Sequence, residues 1–334
     1  MSVLVCGGAG YIGSHAVYEL LQRGEDVVVV DNLQTGHISA VSKGAKFYQG
    51  NIRDKNFLDL VFQENKIDSV IHFAAESLVG VSVEEPLQYY NNNVYGTLCL
   101  LETMEKYRVK RIVFSSTAAT YGEPARIPIV EAAPTVPTNP YGETKLAIER
   151  MLKWCDEAYG IRSISLRYFN VAGAHPTGHI GEDHKPETHL IPLVLQVALG
   201  QREKIMIFGD DYPTQDGTCI RDYIHVNDLI DAHLLALEKL REGSGSNIYN
   251  LGNGNGFSVK EVVETARMVT GHDIPDDVAP RRAGDPAVLV ASSEKAVQEL
   301  GWKPNNPALE QIIESAWRWH VKRPNGYEDE CLKS

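Results

Sequence analysis

Tyr141 and Lys145 stand four residues apart in the stretch NPYGETKLAIERMLKW. On a helix that spacing stacks a phenol and an ammonium on one face, one turn apart. The apolar stripe of the predicted helix runs through Ile148, Leu152 and Cys155, and helical steps backward from it reach Lys145 and Tyr141. Both polar groups therefore point toward the body of the protein. A phenol has a pKa of about 10, so service as a base near pH 7 requires a shift of about 3 units, or ~4 kcal/mol. A nearby cation supplies such a shift by stabilising the phenolate. The pair also fits a plainer reading, a tyrosine at a helix start and a lysine whose stem lies along apolar surface. A third group comes from FSSTAATYG, where Thr117 closes a predicted strand. Ligands of open α/β sheets lie beyond the carboxyl ends of the strands, which puts the Thr117 hydroxyl in the same region. Alone it is equally a polar cap on a strand end.

A second constellation opens the chain. In VLVCGGAGYIGSH, Gly7, Gly10 and Gly13 are spaced G-x-x-G-x-x-G between a strand-like and a helix-like run. Glycines there allow a tight turn and the close approach of a pyrophosphate to backbone N–H groups, with the positive end of a helix behind them. The next strand ends in Asp31, 18 residues beyond Gly13. A carboxylate at that place accepts from the adenine ribose diol and repels a 2′-phosphate, which favours NAD over NADP.

These residues need elements to hold them. Strands are predicted at 3–6, 26–31, 46–51, 68–75, 111–117 and 162–169, and helices at 11–23, 56–65, 86–108 and 140–159. DVVVVD, DSVIHFAA and RIVFSST are continuous apolar runs, as expected of parallel strands covered on both faces. The β-α-β-α rhythm gives the fold class as α/β, a doubly wound, mostly parallel Rossmann sheet with a smaller α/β C-terminal substrate body. We expect residues 1–170 to form the dinucleotide-binding domain, with 227–252 returning to it. Residues 171–226 and 253–330 then form the substrate domain. After residue 169 comes a long irregular stretch, of the kind that is functional or disordered. A helix follows at LIPLVLQVALGQ, another at NDLIDAHLLALEKL with Asn227 as its N-cap, and mostly helix from Ser258 onward.

Composition narrows the class. Of 334 residues 43% are apolar, enough for an ample core, and the net charge is -12. No basic stripe marks a nucleic-acid binder. The apolar runs fall short of the roughly 20 residues that span a bilayer, and no basic-then-apolar leader precedes the first strand. Five scattered cysteines without a CxxC pair point to a reducing compartment, so the expectation is a cytoplasmic protein. His184 and His189 are five apart, a spacing that no regular helix puts on one face, and no metal site is expected.

The stretches GGAGYIGSH, HFAA, NNVYGT, FSSTAATYG, NPYGETK, RYFNVAGA, IGED, FGDDYPTQDGTCIRDYIHV, YNLGNG and RRAGD, in this order and spacing, resemble the UDP-hexose 4-epimerases of the extended short-chain dehydrogenase/reductase family over essentially the whole chain. The resemblance implies Tyr141 as base, Lys145 as its tuner and ribose ligand, and Thr117 on the sugar 4-oxygen. It implies NAD contacts at Gly7, Gly10, Tyr11, Ile12, Gly13, Asp31, Asn32, Asn51, Ile52, Phe73, Ala74, Ala75, Asn93, Ser115 and Tyr168, besides Tyr141 and Lys145. For the UDP-sugar it implies Thr117, Tyr141, Asn170, His189, Leu190, Phe208, Arg221, Arg282 and Asp285. It also implies a homodimer built from the helices at 86–108 and 140–159.

The chain departs from the family pattern at Cys6, Asn51, Ser77, His189 and Leu289. Ser77 replaces a lysine near the cofactor, and Leu289 stands where hexose-specific members carry a tyrosine, leaving room for an N-acetyl group. Dehydratases of the fold need an acid and a base beside the strand-end hydroxyl, and this chain has Ala118 and Ala119 there. Epimerisation of UDP-N-acetylglucosamine or UDP-glucuronate, and a non-enzymatic NAD-binding regulator, are the remaining alternatives.

Overall fold

The computed structural model describes residues 1–282 and 286–327. Seven parallel strands form one sheet: β1 (Ser2–Cys6), β2 (Asp26–Asp31), β3 (Lys46–Gln49), β4 (Ile67–His72), β5 (Arg111–Thr117), β6 (Arg162–Tyr168) and β7 (Asn247–Leu251). Their spatial order is β7-β6-β5-β4-β1-β2-β3. The chain winds outward from β1 to β3, then returns to the other side of β1 with β4. That reversal opens a crevice at the carboxyl ends of β1 and β4, where ligands of such sheets bind.

The period-2 alternation of a strand sorts the core. In β1, Val3 and Val5 face the helices Tyr11–Gln22 and Val226–Arg241, while Leu4 and Cys6 face Lys55–Glu64, Gly96–Lys106 and Pro140–Tyr159. The sheet is thus covered on both sides, which is why its strands read as unbroken apolar runs. A third apolar cluster, with Ile191, Leu195, Ile205, Val262 and Ile312 among its members, forms from the helices Leu190–Ala198, Val259–Thr270 and Leu309–Lys322. Small sheets surround it. Asn170–Ala172 pairs with Tyr223–His225, Ile205–Phe208 pairs with Asp276–Ala279, and Ile220–Arg221 lies between Phe257–Ser258 and Val288–Leu289. Among the described residues no helix is long and apolar enough to cross a membrane.

Three local expectations change and one gains a detail. The strand expected to reach residue 75 ends at His72, because the amides of Phe73 and Ala74 both donate to the Cys6 carbonyl and bend the chain over β1. The helix expected over 86–108 runs without interruption from Pro86 to Lys106 and carries one π-helical turn, at Tyr90–Tyr95. Helix Val226–Arg241 is capped by the His225 ring, which accepts from the Asn227 amide, so Asn227 lies in the first turn. Beyond Ser258 the short strands at 276–279 and 288–289 interrupt the helices.

Candidate active site

Helix Pro140–Tyr159 forms where its ends are marked. The Asn139 side chain accepts from the Gly142 amide, Pro140 occupies the first turn, and Gly160 closes the helix at φ +66°. This places Tyr141 in the first turn and Lys145 one turn later, against the end of β5. Lys145 is only 2% exposed. Its Nζ donates to the Ser115 carbonyl at 2.7 Å and lies 5.9 Å from the centre of the Tyr141 ring. Thr117 is the last residue of β5, and its hydroxyl stands close enough to the Tyr141 phenol to favour the phenolate. The three residues therefore share one site.

Burial drives both ionisable groups toward neutrality. The Tyr141 phenol is pushed up to about 12 by desolvation, against the opposing influence of the nearby Thr117 hydroxyl. The Lys145 ammonium is pulled down to about 7, and the Glu149 carboxylate opposes that pull. Glu149 lies a further helical turn along the same face. It takes Arg167 as partner through Nε at 2.9 Å and through Nη2, and it also accepts from the Ser116 hydroxyl. The residue went unread in the sequence, although the i, i+4, i+8 spacing of Tyr141, Lys145 and Glu149 was its signal. The Tyr168 hydroxyl and the Ser115 hydroxyl bond each other, joining the ends of β5 and β6.

The glycine turn is built for close approach. Gly7 has φ +81°, and a Cβ there would lie 2.6 Å from the Ala74 nitrogen. A Cβ on Gly13 would lie 2.0 Å from the Gly7 carbonyl oxygen. Gly10 precedes helix Tyr11–Gln22 and adds no side-chain cap, so the positive end of the helix stays open to a phosphate. Asp31 accepts from the Ala9 amide at 2.9 Å and the Leu33 amide at 2.8 Å, one on each oxygen. A carboxylate oxygen takes two donors, so both keep a lone pair for a ribose diol. The cradle and the strand-end carboxylate fit a dinucleotide such as NAD.

Other expected cofactor positions divide. Asn32 is exposed, and its side-chain oxygen accepts from the Gln34 amide. Phe73 packs its ring 4.8 Å from His233, and Ala75 follows at the same strand end, partly exposed. Ile52 is buried in the core between the sheet and its helices. The Asn51 side-chain oxygen accepts from the Arg53 amide and Nε. Asn93 is fully buried, and its side chain clamps the backbone of residue 76 in both directions and donates to Thr144. It positions the loop after β4 from inside the scaffold.

On the substrate side, the Arg282 guanidinium lies 4.0 Å above the Phe208 ring. Arg221 donates to the Ile220 and Pro286 carbonyls, and Leu289 is its register partner on the neighbouring strand. The adjacent Asp222 is buried and accepts from the amides of Asn253, Gly254 and Ala291. Asn170 begins a short strand whose first amide donates to the Asp222 carbonyl. His189 and Leu190 stand at the start of helix Leu190–Ala198. Asp285 lies outside the described residues. The expectation of no metal site rested on helical spacing, yet 182–189 is a loop, and it gathers Glu182, His184, Glu187 and His189 within 4.8 Å.

Strand order, glycine cradle, strand-end carboxylate and a buried Tyr–Lys–Thr site define a dinucleotide-dependent enzyme that moves a proton and a hydride together. The chain belongs to the NAD dependent epimerase/dehydratase family, whose model matches residues 3–252. It is 64% identical over 330 residues, 99% of this chain and 98% of the other, to a protein of Halalkalibacterium halodurans named UDP-glucose 4-epimerase. Two solved structures are similar throughout. The UDP-glucose 4-epimerase of Brucella ovis in complex with NAD is 47% identical with TM-score 0.92, covering 95% of this chain and 97% of that one. That of Bifidobacterium longum in complex with NAD+ and UDP is 43% identical with TM-score 0.92, covering 98% and 100%.

Proposed function

We propose that the protein interconverts UDP-glucose and UDP-galactose by inverting carbon 4 of the hexose. The observation that carries this reading is the largely desolvated phenol of Tyr141, close to the Thr117 hydroxyl and one helical turn from Lys145. Bound NAD supplies a hydride acceptor that returns the same hydride, so no net oxidation occurs. The residues do the rest. Thr117 holds the sugar 4-oxygen, and Tyr141 Oη takes the 4-hydroxyl proton and later gives one back. With the phenol held near 12, forming phenolate at pH 7 costs roughly 7 kcal/mol. The base therefore develops only when positive charge arrives beside it, and Lys145 is poised to contribute some of that charge. Arg221, and Arg282 stacked on Phe208, hold the diphosphate and uracil end while the 4-keto hexose turns over between its two faces. Ala118 and Ala119 offer no acid–base pair for elimination, which favours epimerisation over dehydration.

The supporting roles follow the same reading: Gly7, Gly10, Tyr11, Ile12 and Gly13 on the pyrophosphate, Asp31 and Asn32 on the adenosine ribose, Asn170 and His189 at the sugar diphosphate. We also place the protein in a reducing compartment, in line with its scattered cysteines, of which Cys6, Cys99 and Cys155 form no disulfide. It is further proposed to be a homodimer. Exposed Leu87, Tyr90, Tyr95 and Trp154, on the helical segments assigned to that contact, support the pairing.

Hydride return is testable directly. UDP-galactose carrying deuterium at carbon 4 should yield UDP-glucose with the label kept at carbon 4, read by mass spectrometry and NMR. Loss of the label to water, or build-up of reduced cofactor with substrate, would sink the reading.

A further inference from the structure

The loop between the short strand at 170–172 and helix Leu190–Ala198 holds four side chains for which the proposed reaction has no joint use. Glu182 Oε1 lies 3.2 Å from His184 Nδ1 and 3.0 Å from His189 Nδ1. Glu187 Oε1 lies 2.9 Å from His189 Nδ1, and its Oε2 lies 3.6 Å from His184 Nδ1. A tetrahedral centre with bonds of about 2.0–2.1 Å has ligand–ligand edges of about 3.3 Å. These four separations lie on either side of that edge, and one ligand atom from each of the four residues lies within 4.8 Å of all the others.

A second observation is at His184. Its Nδ1 is sealed from solvent and has no hydrogen-bond partner, although two carboxylates stand around it. The nitrogen points into the cluster without meeting the angles of a hydrogen bond. A metal at the centre satisfies it through a lone pair. Glu182 is only 5% exposed, and a carboxylate in so closed a space needs opposing charge, of which His189 Nδ1 at 3.0 Å supplies only part.

We infer that Glu182, His184, Glu187 and His189 bind one divalent transition metal of the zinc class. Two carboxylates balance the charge of the dication and two imidazoles add nitrogen donors of borderline softness. Four protein ligands make the site structural. The metal ties the loop across Glu182–His189 to the start of helix Leu190–Ala198. It sits next to the phosphate turn, since the His184 ring meets the Tyr11 ring edge-on at 6.2 Å. Coordination uses Nδ1 of His189, whose side chain is 43% exposed, and leaves its Nε2–H for an external acceptor. The anchors behind the loop are independent of the metal: Trp319 Nε1 donates to the Glu182 carbonyl and the Gly181 amide donates to the Tyr327 hydroxyl.

The test uses folded, chelator-treated protein with its cofactor in place. Co2+ titration should give the intense visible bands of a tetrahedral centre, saturating at one equivalent, and Zn2+ should abolish them stoichiometrically. His184→Gln and Glu187→Gln should each lower Zn2+ affinity by more than about 100-fold, with unchanged circular dichroism and cofactor content. If the variants misfold, the wild-type titration still decides. Absence of tetrahedral bands in wild type, or the same bands in the folded variants (which would place the ion on a cysteine), would overturn the assignment.

Discussion

Tyr141 and Lys145 are mismatched to water and matched to each other. Burial raises the phenol to about 12 and lowers the ammonium to about 7. The lysine has a consequence for stability. Its pKa is about 7 folded and near 10.5 unfolded, so the unfolded chain binds more protons between those values. The destabilisation is complete below pH 7 and fades as pH rises toward 10.5. Its upper bound is about 5 kcal/mol. Lys145→Met is therefore expected to raise the urea midpoint of cofactor-free protein at pH 7 by a few kcal/mol equivalent, with the gap closing by pH 10, while turnover is lost. An unchanged midpoint would show that the ammonium is better solvated than its 2% exposure implies. At this scale the sequence was legible where chemistry follows a helical period, as at Tyr141 and Lys145. At His184 and His189 it weighed only helical spacing and passed over Glu182 and Glu187, because irregular backbone brings the four together.

The elements do the positioning through backbone contacts that tolerate little. A methyl on Gly13 would meet the Gly7 carbonyl at 2.0 Å, backbone against backbone, with neither able to yield. Gly24, at φ +77°, has nothing within 4 Å of such a methyl. Gly13→Ala is expected to abolish co-purified NAD and lower the melting temperature sharply. Gly24→Ala should lose only the ~1–2 kcal/mol of left-handed strain and keep its NAD. Equal NAD content in the two variants would contradict the turn as the cofactor cradle. Helix Pro140–Tyr159 was readable because Asn139, Pro140 and Gly160 mark both of its ends. The π-helical turn at Tyr90–Tyr95 was not, since nothing local in YNNNVY reveals that Asn93 will turn inward to hold residue 76.

On the scale of the whole molecule, alternation of apolar strands with amphipathic helices made the parallel sheet legible from residue 3 to residue 168. The C-terminal body resisted the same treatment. Its sheets are built from strands as short as Ile220–Arg221 and Val288–Leu289, too brief to show a period, and they pair across more than 60 residues. Leu87 is 83% exposed and Trp154 63%, both on helices proposed to meet a second copy. Leu87→Glu removes no internal packing, so it should shift sedimentation from dimer to monomer without lowering chain stability. A wild type that sediments as a monomer would contradict the pairing. The central claim is that one phenolic oxygen carries the proton while hydride leaves and returns at the same carbon. It is tested most directly by following conversion of UDP-galactose to UDP-glucose, without added cofactor, by wild type and by Tyr141→Phe matched for NAD content. Wild type should reach equilibrium, and the variant should be slower by roughly 10³-fold. A Tyr141→Phe protein that retains NAD and turns over within tenfold of wild type would contradict it.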